Sequence, residues 1–207
     1  MMMRTPSLRP AVCALAAALA LAACGGDSTG SGRFSGRTEF LYSGDLEGEF
    51  RAQGSLPGDL RRGSFAFGQN GSSFDGFALS LVAQQDLPGS RVNSLSFTVR
   101  SPAVGTVSCS PGATDCPITA FLVLGADAAN LYVEADADLY STSGTVTIAT
   151  LTHERATGTF QFAASELGAG TRQVQVTNGS FDVPLLDRAA IPFSRQAVAR
   201  AAFPRSR

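Results

Sequence analysis

The chain has no lysine and no tryptophan, and only one histidine among its 207 residues. Charged side chains make up 16% of the sequence and the net charge is −1, which argues against a general nucleic-acid binder, since that role shows a basic excess. Every basic side chain is arginine, a bias that reads as genomic base composition more than as function. No His-Glu-x-x-His pair or phosphate-binding glycine loop occurs, so the familiar zinc-protease and nucleotide-binding chemistries have no foothold. The longest apolar run, Ala11 to Ala23, is about 13 residues, against roughly 20 for a helix that crosses a bilayer.

That run is informative in its position. Met1 to Arg9 carries Arg4 and Arg9 and no acid, and the apolar stretch follows at once, which is the order of an export signal. It ends Leu21-Ala22-Ala23-Cys24, which resembles the lipobox of bacterial lipoproteins. The resemblance implies cleavage after residue 23 and lipid on Cys24. Two or three acyl chains hold a protein stably on a membrane without any inserted polypeptide. Gly25 and Gly26 follow in place of the aspartate that, in Gram-negative lipoproteins, signals retention at the inner membrane, so the resemblance favours the outer membrane, on its periplasmic or surface side. From Gly25 to Gly36 the chain is nearly all Gly, Ser, Asp and Thr, the composition of a flexible tether.

Residues 37–186 read as one domain of ordinary size. Apolar and polar residues alternate with period two between Gly, Pro, Asn and Ser punctuation, which predicts an antiparallel all-β sandwich or barrel of about nine to eleven strands. Candidate strands bury Phe40 and Tyr42, Phe50, Phe65 and Phe67, Phe77 with Leu79 and Leu81, and Leu95 with Phe97 and Val99. The clearest alternation spans Leu131 to Tyr140, with Leu131, Val133, Ala135, Ala137 and Leu139 on one face. Tyr132, Glu134, Asp136, Asp138 and Tyr140 lie on the other.

A short pattern recurs in which glycine precedes an apolar-x-apolar segment, as in Gly63-Ser-Phe-Ala-Phe, Gly144-Thr-Val-Thr-Ile, Gly158-Thr-Phe-Gln-Phe and Gly179-Ser-Phe-Asp-Val. Glycine before a strand would supply the turn backbone. Asn178-Gly179 favours a two-residue hairpin, with a bulge inside one longer strand as the alternative, so Thr145 to Val183 reads as a meander of three or four strands. The segments Ser143-Gly-Thr-Val-Thr-Ile148, Thr157-Gly-Thr-Phe-Gln-Phe162 and Val176-Thr-Asn-Gly-Ser-Phe-Asp-Val183 together resemble the C-terminal half of uncharacterised β-rich bacterial lipoproteins. That resemblance spans about 40 residues and implies a fold but no activity.

Cys13 leaves with the signal and Cys24 takes lipid, so Cys109 and Cys116 remain as the only thiol pair. In an oxidising compartment they are expected to join across the Pro111-Gly112 turn, a staple contributing roughly 2 to 3 kcal/mol. Two thiols without a nearby histidine fall short of a zinc site. His153 lies in an apparent hairpin loop with no orienting carboxylate or nucleophile to pair with it, so a catalytic histidine is not expected. The acidic row Glu134, Asp136, Asp138 is a weak candidate for Ca²⁺, which accepts oxygen ligands in flexible geometry, but alternating acids also keep a strand face solvated. Asp45, Glu47 and Glu49 lack the ligand spacing of an EF-hand loop. Tyr132 and Tyr140 are the few aromatics placed to stack on a glycan.

Residues 187–207 hold Arg188, Arg195, Arg200, Arg205 and Arg207 with prolines between them, a basic tail expected to be disordered or briefly helical. The whole describes a non-enzymatic, membrane-anchored β-domain without cofactor, presented for binding in the cell envelope to a protein, glycan or small molecule. The alternative is a barrel that carries a lipid or other apolar ligand in its interior. Cys24→Ser is expected to abolish incorporation of radiolabelled palmitate in cells; labelling that persists would overturn the anchor.

Overall fold

A computed structural model describes residues 35–55, 63–73, 76–128, 135–168 and 170–186. They belong to the second of two compact units, Arg33–Arg207. Ten strands follow in chain order: β1 Ser35–Gly44, β2 Gly48–Ser55, β3 Phe65–Ser73, β4 Gly76–Leu87, β5 Arg91–Arg100, β6 Gly105–Cys109, β7 Ile118–Asp127, β8 Ala137–Leu151, β9 Arg155–Glu166 and β10 Gln173–Pro184. They form one all-β sheet in the order β2-β1-β10-β9-β8-β7-β5-β4-β3, and every ladder is antiparallel. β8 is long enough to serve two neighbours on one edge, pairing β7 along Ala137–Tyr140 and β6 along Gly144–Ile148.

The sheet curls until its ends meet, giving a nearly closed barrel. Among the described residues no ladder joins β2 to β3; glycines let the two edges approach instead. A Cβ on Gly36 of β1 would collide with the Ala66 carbonyl, and one on Gly54 of β2 with the Ser64 carbonyl. Only a residue without a side chain lets backbone come so near to backbone. β10 contributes at its exit, where Leu185 bridges Gly68 in parallel and the Leu186 N–H donates to the Gly68 carbonyl at 2.9 Å.

Strand alternation sends one face of every strand inward, and a single apolar cluster results. Phenylalanine fills its middle. Phe97 of β5 lies 5.3 Å from Phe160 of β9 and 5.6 Å from Phe181 of β10, centroid to centroid. In the sheet β7 and β8 separate β5 from β9, so these contacts cross the interior from wall to wall. Phe40 stacks on its cross-strand partner Phe50 at 4.6 Å and meets the Phe160 edge at 5.8 Å.

The recurring glycines explain how so many rings fit. Three of the four lie inside strands, and each stands directly opposite a phenylalanine: Gly144 opposite Phe162, Gly158 opposite Phe181, Gly179 opposite Phe160. A Cβ at Gly144 would lie 2.8 Å from the Phe162 Cβ, and at Gly158 or Gly179 2.6 Å from the facing ring. The Phe181 and Phe160 rings fold over the bare backbone of Gly158 and Gly179. The expectation that these glycines supply turns is therefore corrected for Gly144, Gly158 and Gly179; Gly63 alone precedes its strand.

Asn178-Gly179 is likewise no hairpin. β10 runs unbroken through it, the register against β9 shifts between Val176 and Gly179, and Asn178 takes φ 53°. The bulge prevails because Gly179 is needed under Phe160, in the wall, and β8, β9 and β10 make a meander of three strands. The strand expected from Leu131 starts at Ala137; residues 129–134 lie outside the described residues, while Ala137 and Leu139 are buried. The signal, Cys24, the tether up to residue 34 and the tail also lie outside the described residues, as does the Phe77 side chain.

Phe160→Ala is expected to lower unfolding free energy by about 3–5 kcal/mol, and Gly158→Val by about 1–3 kcal/mol through overpacking against Phe181. Denaturant titration measures both; a Gly158→Val protein as stable as the parent would show that the ring does not need the bare backbone.

Candidate functional site

With the interior occupied, the outside carries the concave surface. Two shallow, open grooves of about 350 and 310 Å³ share Ala163 and Gln175, so they run together over β8, β9 and β10. The strand register builds them. Thr145 of β8 sits between Ser108 of β6 and Gln161 of β9, and Ala163 between Ser143 of β8 and Gln175 of β10, with Ser43 of β1 beyond. These side chains point outward because their neighbours Val146, Phe160, Phe162, Val174 and Val176 point into the core. Hydroxyl ladders tie the rows together, Thr106 to Thr147 at 2.9 Å and Ser108 to Thr145 at 3.3 Å.

Among the described residues, no charged side chain lines either groove. Hydroxyls and amides both donate and accept, so this surface can hydrogen-bond a neutral polar partner without the cost of desolvating an ion. Tyr140, 43% exposed, stands beside it opposite Ser165.

Charges collect instead on the rim where β5, β8 and β10 begin and β1, β7 and β9 end, the end of β1 away from Ser35. Gly125 adopts φ 57°, and the space its side chain would need is taken by the Asp136 carboxylate and the Arg91 guanidinium. Arg91 Nε donates to the Gly125 carbonyl at 2.9 Å and its Nη2 pairs with Asp136 at 2.7 Å, while buried Asn93 accepts the Gly125 N–H at 2.8 Å. Arg172 Nε donates to Glu166 Oε2 at 3.0 Å and a second bond joins the pair; this hydrogen bonding holds Glu166 below the usual glutamate range. Between the two pairs lies Asp138, half-buried, with its Oδ1 out of water and without a hydrogen-bond partner. Burial first, and the Glu166 charge second, push its carboxyl above the usual aspartate range.

The sequence candidates are dispersed. Glu134 and Tyr132 lie outside the described residues. Asp136 precedes β8 and is engaged by Arg91, and Asp138 is half-buried in β8. No group of three or more His, Cys, Asp or Glu converges as metal ligands among the described residues. Asp45 caps the start of β10, its Oδ2 accepting the Gln173 N–H at 2.8 Å, and Glu49 pairs with Arg51 at 2.6 Å. His153 is exposed in the β8–β9 turn, which Thr152 braces by accepting the Glu154 and Arg155 N–H groups. Cys109 and Cys116 are joined, Cα to Cα 5.2 Å, and Arg100 pins the loop by donating to the Cys116 carbonyl at 2.6 Å.

Two features escaped sequence reasoning: the neutral groove and the Arg91–Gly125–Asp136 knot. The first was visible as Ser, Thr and Gln at alternate positions of β8, β9 and β10; the second joins residues too far apart in sequence to be paired by spacing. Comparison with protein-family models, curated proteins and solved structures finds no match.

The raised Asp138 carboxyl sets a pH dependence. A raised acid binds its proton more tightly in the folded state, so its protonation adds stability as pH falls through the folded value, and the ionised form costs stability above it. Asp138→Asn is expected to raise Tm at pH 7, with the gain shrinking as pH approaches about 4. Melting curves across that range test this, and equal gain at both ends would contradict it.

Proposed function

We propose that this chain is a lipid-tethered protein of the cell envelope that works by recognition on the outside of a packed β-barrel, without catalysing a reaction. One observation carries the proposal: Phe40, Phe50, Phe97, Phe160, Phe162 and Phe181 occupy the interior, so the concave surface lies outside, over β8–β10. A carrier of an apolar ligand would need the space these rings take. The polarity of the wall agrees, being apolar inside and hydroxyl- and amide-bearing outside, the reverse of a barrel that spans a membrane. The anchor on Cys24, the tether to residue 36 and the outer-membrane destination stand on the sequence signals and place such a surface within reach of envelope partners. So does the likeness to β-rich lipoproteins in Ser143–Val183.

A non-catalytic role is supported by the engagement of the polar groups that could act as reagents: Asp136 by Arg91, Glu166 by Arg172, Asp182 by Arg155. His153 stands alone in its turn.

A photoreactive amino acid placed at Gln161 or Gln175 in cells is expected to give a discrete cross-linked species, while the same residue at exposed Thr119 of β7 gives none. Equal cross-linking at all three positions, or none at the groove, would contradict recognition by this face.

A further inference from the structure

The groove over β8–β10 runs across the strands, and that direction limits what it can hold. It starts at Ser108 of β6, passes Thr145 and Gln161, reaches Ala163 and Gln175, and ends at Ser43 of β1. Four strand spacings separate β6 from β1 along this path, roughly 19 Å. Ala163 keeps the middle low, since its side chain is a single methyl. Gln161, two residues back along β9, and Gln175, across the ladder on β10, are exposed beside it, and among the described residues neither side-chain amide has a hydrogen-bond partner.

An extended peptide cannot join this surface as a strand. Along the groove β9 is laddered to β8 and to β10, and β10 to β1, so their backbone N–H and carbonyl groups are already engaged. A nucleic acid would need basic side chains and a lipid an apolar trough, and the lining residues supply neither. What matches hydroxyls and amides that donate and accept is a chain uncharged along its length and itself rich in hydroxyls.

Tyr140 adds an aromatic surface to this polar one. It lies on β8 directly opposite Ser165 of the groove, cross-strand from Phe121 of β7, and is 43% exposed. A pyranose has an apolar C–H face and a rim of hydroxyls, so it can pack the first on a ring that is apolar in body and polar at its tip and hydrogen-bond the second to amides and hydroxyls alongside.

We propose that the groove binds a neutral oligosaccharide, with one sugar stacked on Tyr140 and the neighbouring units hydrogen-bonded by Ser165, Gln175 and Gln161. The assignment rests on the reading of this face as a recognition surface and names the chemical class of its partner.

NMR chemical-shift titration of the mature protein with cellohexaose, maltohexaose and chitohexaose, and with hexagalacturonate as the anionic control, tests it. One or more of the neutral saccharides is expected to give saturable shifts centred on Gln161, Ser165 and Gln175, and the galacturonate none. Tyr140→Ala is expected to weaken binding about tenfold, while Tyr140→Phe, which keeps the ring, retains it. Gln175→Ala should weaken binding severalfold; Tyr140 and Gln175 are both exposed, and an unchanged Tm shows that the variants fold. Saturable binding that neither Tyr140→Ala nor Gln175→Ala diminishes would overturn the site. No binding of any neutral saccharide would overturn the glycan; if photocross-links at Gln161 or Gln175 then carry a second polypeptide, recognition by this face stands with a protein partner, and if they too are absent both readings fall.

Discussion

The fit of phenylalanine rings over glycine backbone is the constraint on which the rest of this domain depends. In β9 and β10 the pairing places a bare Cα where the facing ring must lie, Gly158 under Phe181 and Gly179 under Phe160, while Gly144 of β8 leaves room for the Phe162 Cβ. Without a Cβ in the way, the rings reach past the wall and meet Phe97 from the opposite side. Glycine within a strand lowers β-propensity, and a local cost of that kind is offset by ring-to-ring packing across the core. The bulge at Asn178 follows from the same need, since it sets Gly179 in register with Phe160.

Filling the interior determines where chemistry can happen. Apolar side chains on the inner face leave hydroxyls and amides on the outer face of the same strands, so the groove over β8–β10 is the counterpart of the core and not a separate device. Charge is set apart from it, knotted at the rim around Gly125 and at the Glu166–Arg172 pair. The disulfide keeps the β6–β7 loop beside the groove, since Cys109 and Pro111 line one wall of it. Surface recognition, more than enclosure, suits such a molecule.

Much of the fold was legible because alternation is a local signal. Phe40, Leu79, Leu95, Phe97 and Leu139 all fall on the predicted inner face. What escaped was long-range or had two physical meanings. Glycine before an apolar pair reads as a turn when the partner strand is unknown, and only the register shows a ring above it. Phe65 and Phe67 alternate as core residues should, but Ala66 and Gly68 take the inner face because β3 must come close to Gly36 of β1, where bulky inward side chains would not fit. Of the candidate site, the acids were visible and their partners were not: Arg91 lies far in sequence from Asp136, and nothing in composition pairs them.

The filled interior is the central claim, and a titration of the mature protein with benzene, followed by NMR chemical shifts of the core methyl groups, tests it most directly. Apolar cavities the size of a deleted aromatic ring bind such probes, whereas close-packed cores do not. The parent protein is predicted to show no saturable shift and Phe160→Ala to gain one centred on Val146, Ile148 and Val176. Saturable binding by the parent protein would reveal an interior cavity and turn the account toward ligand carriage.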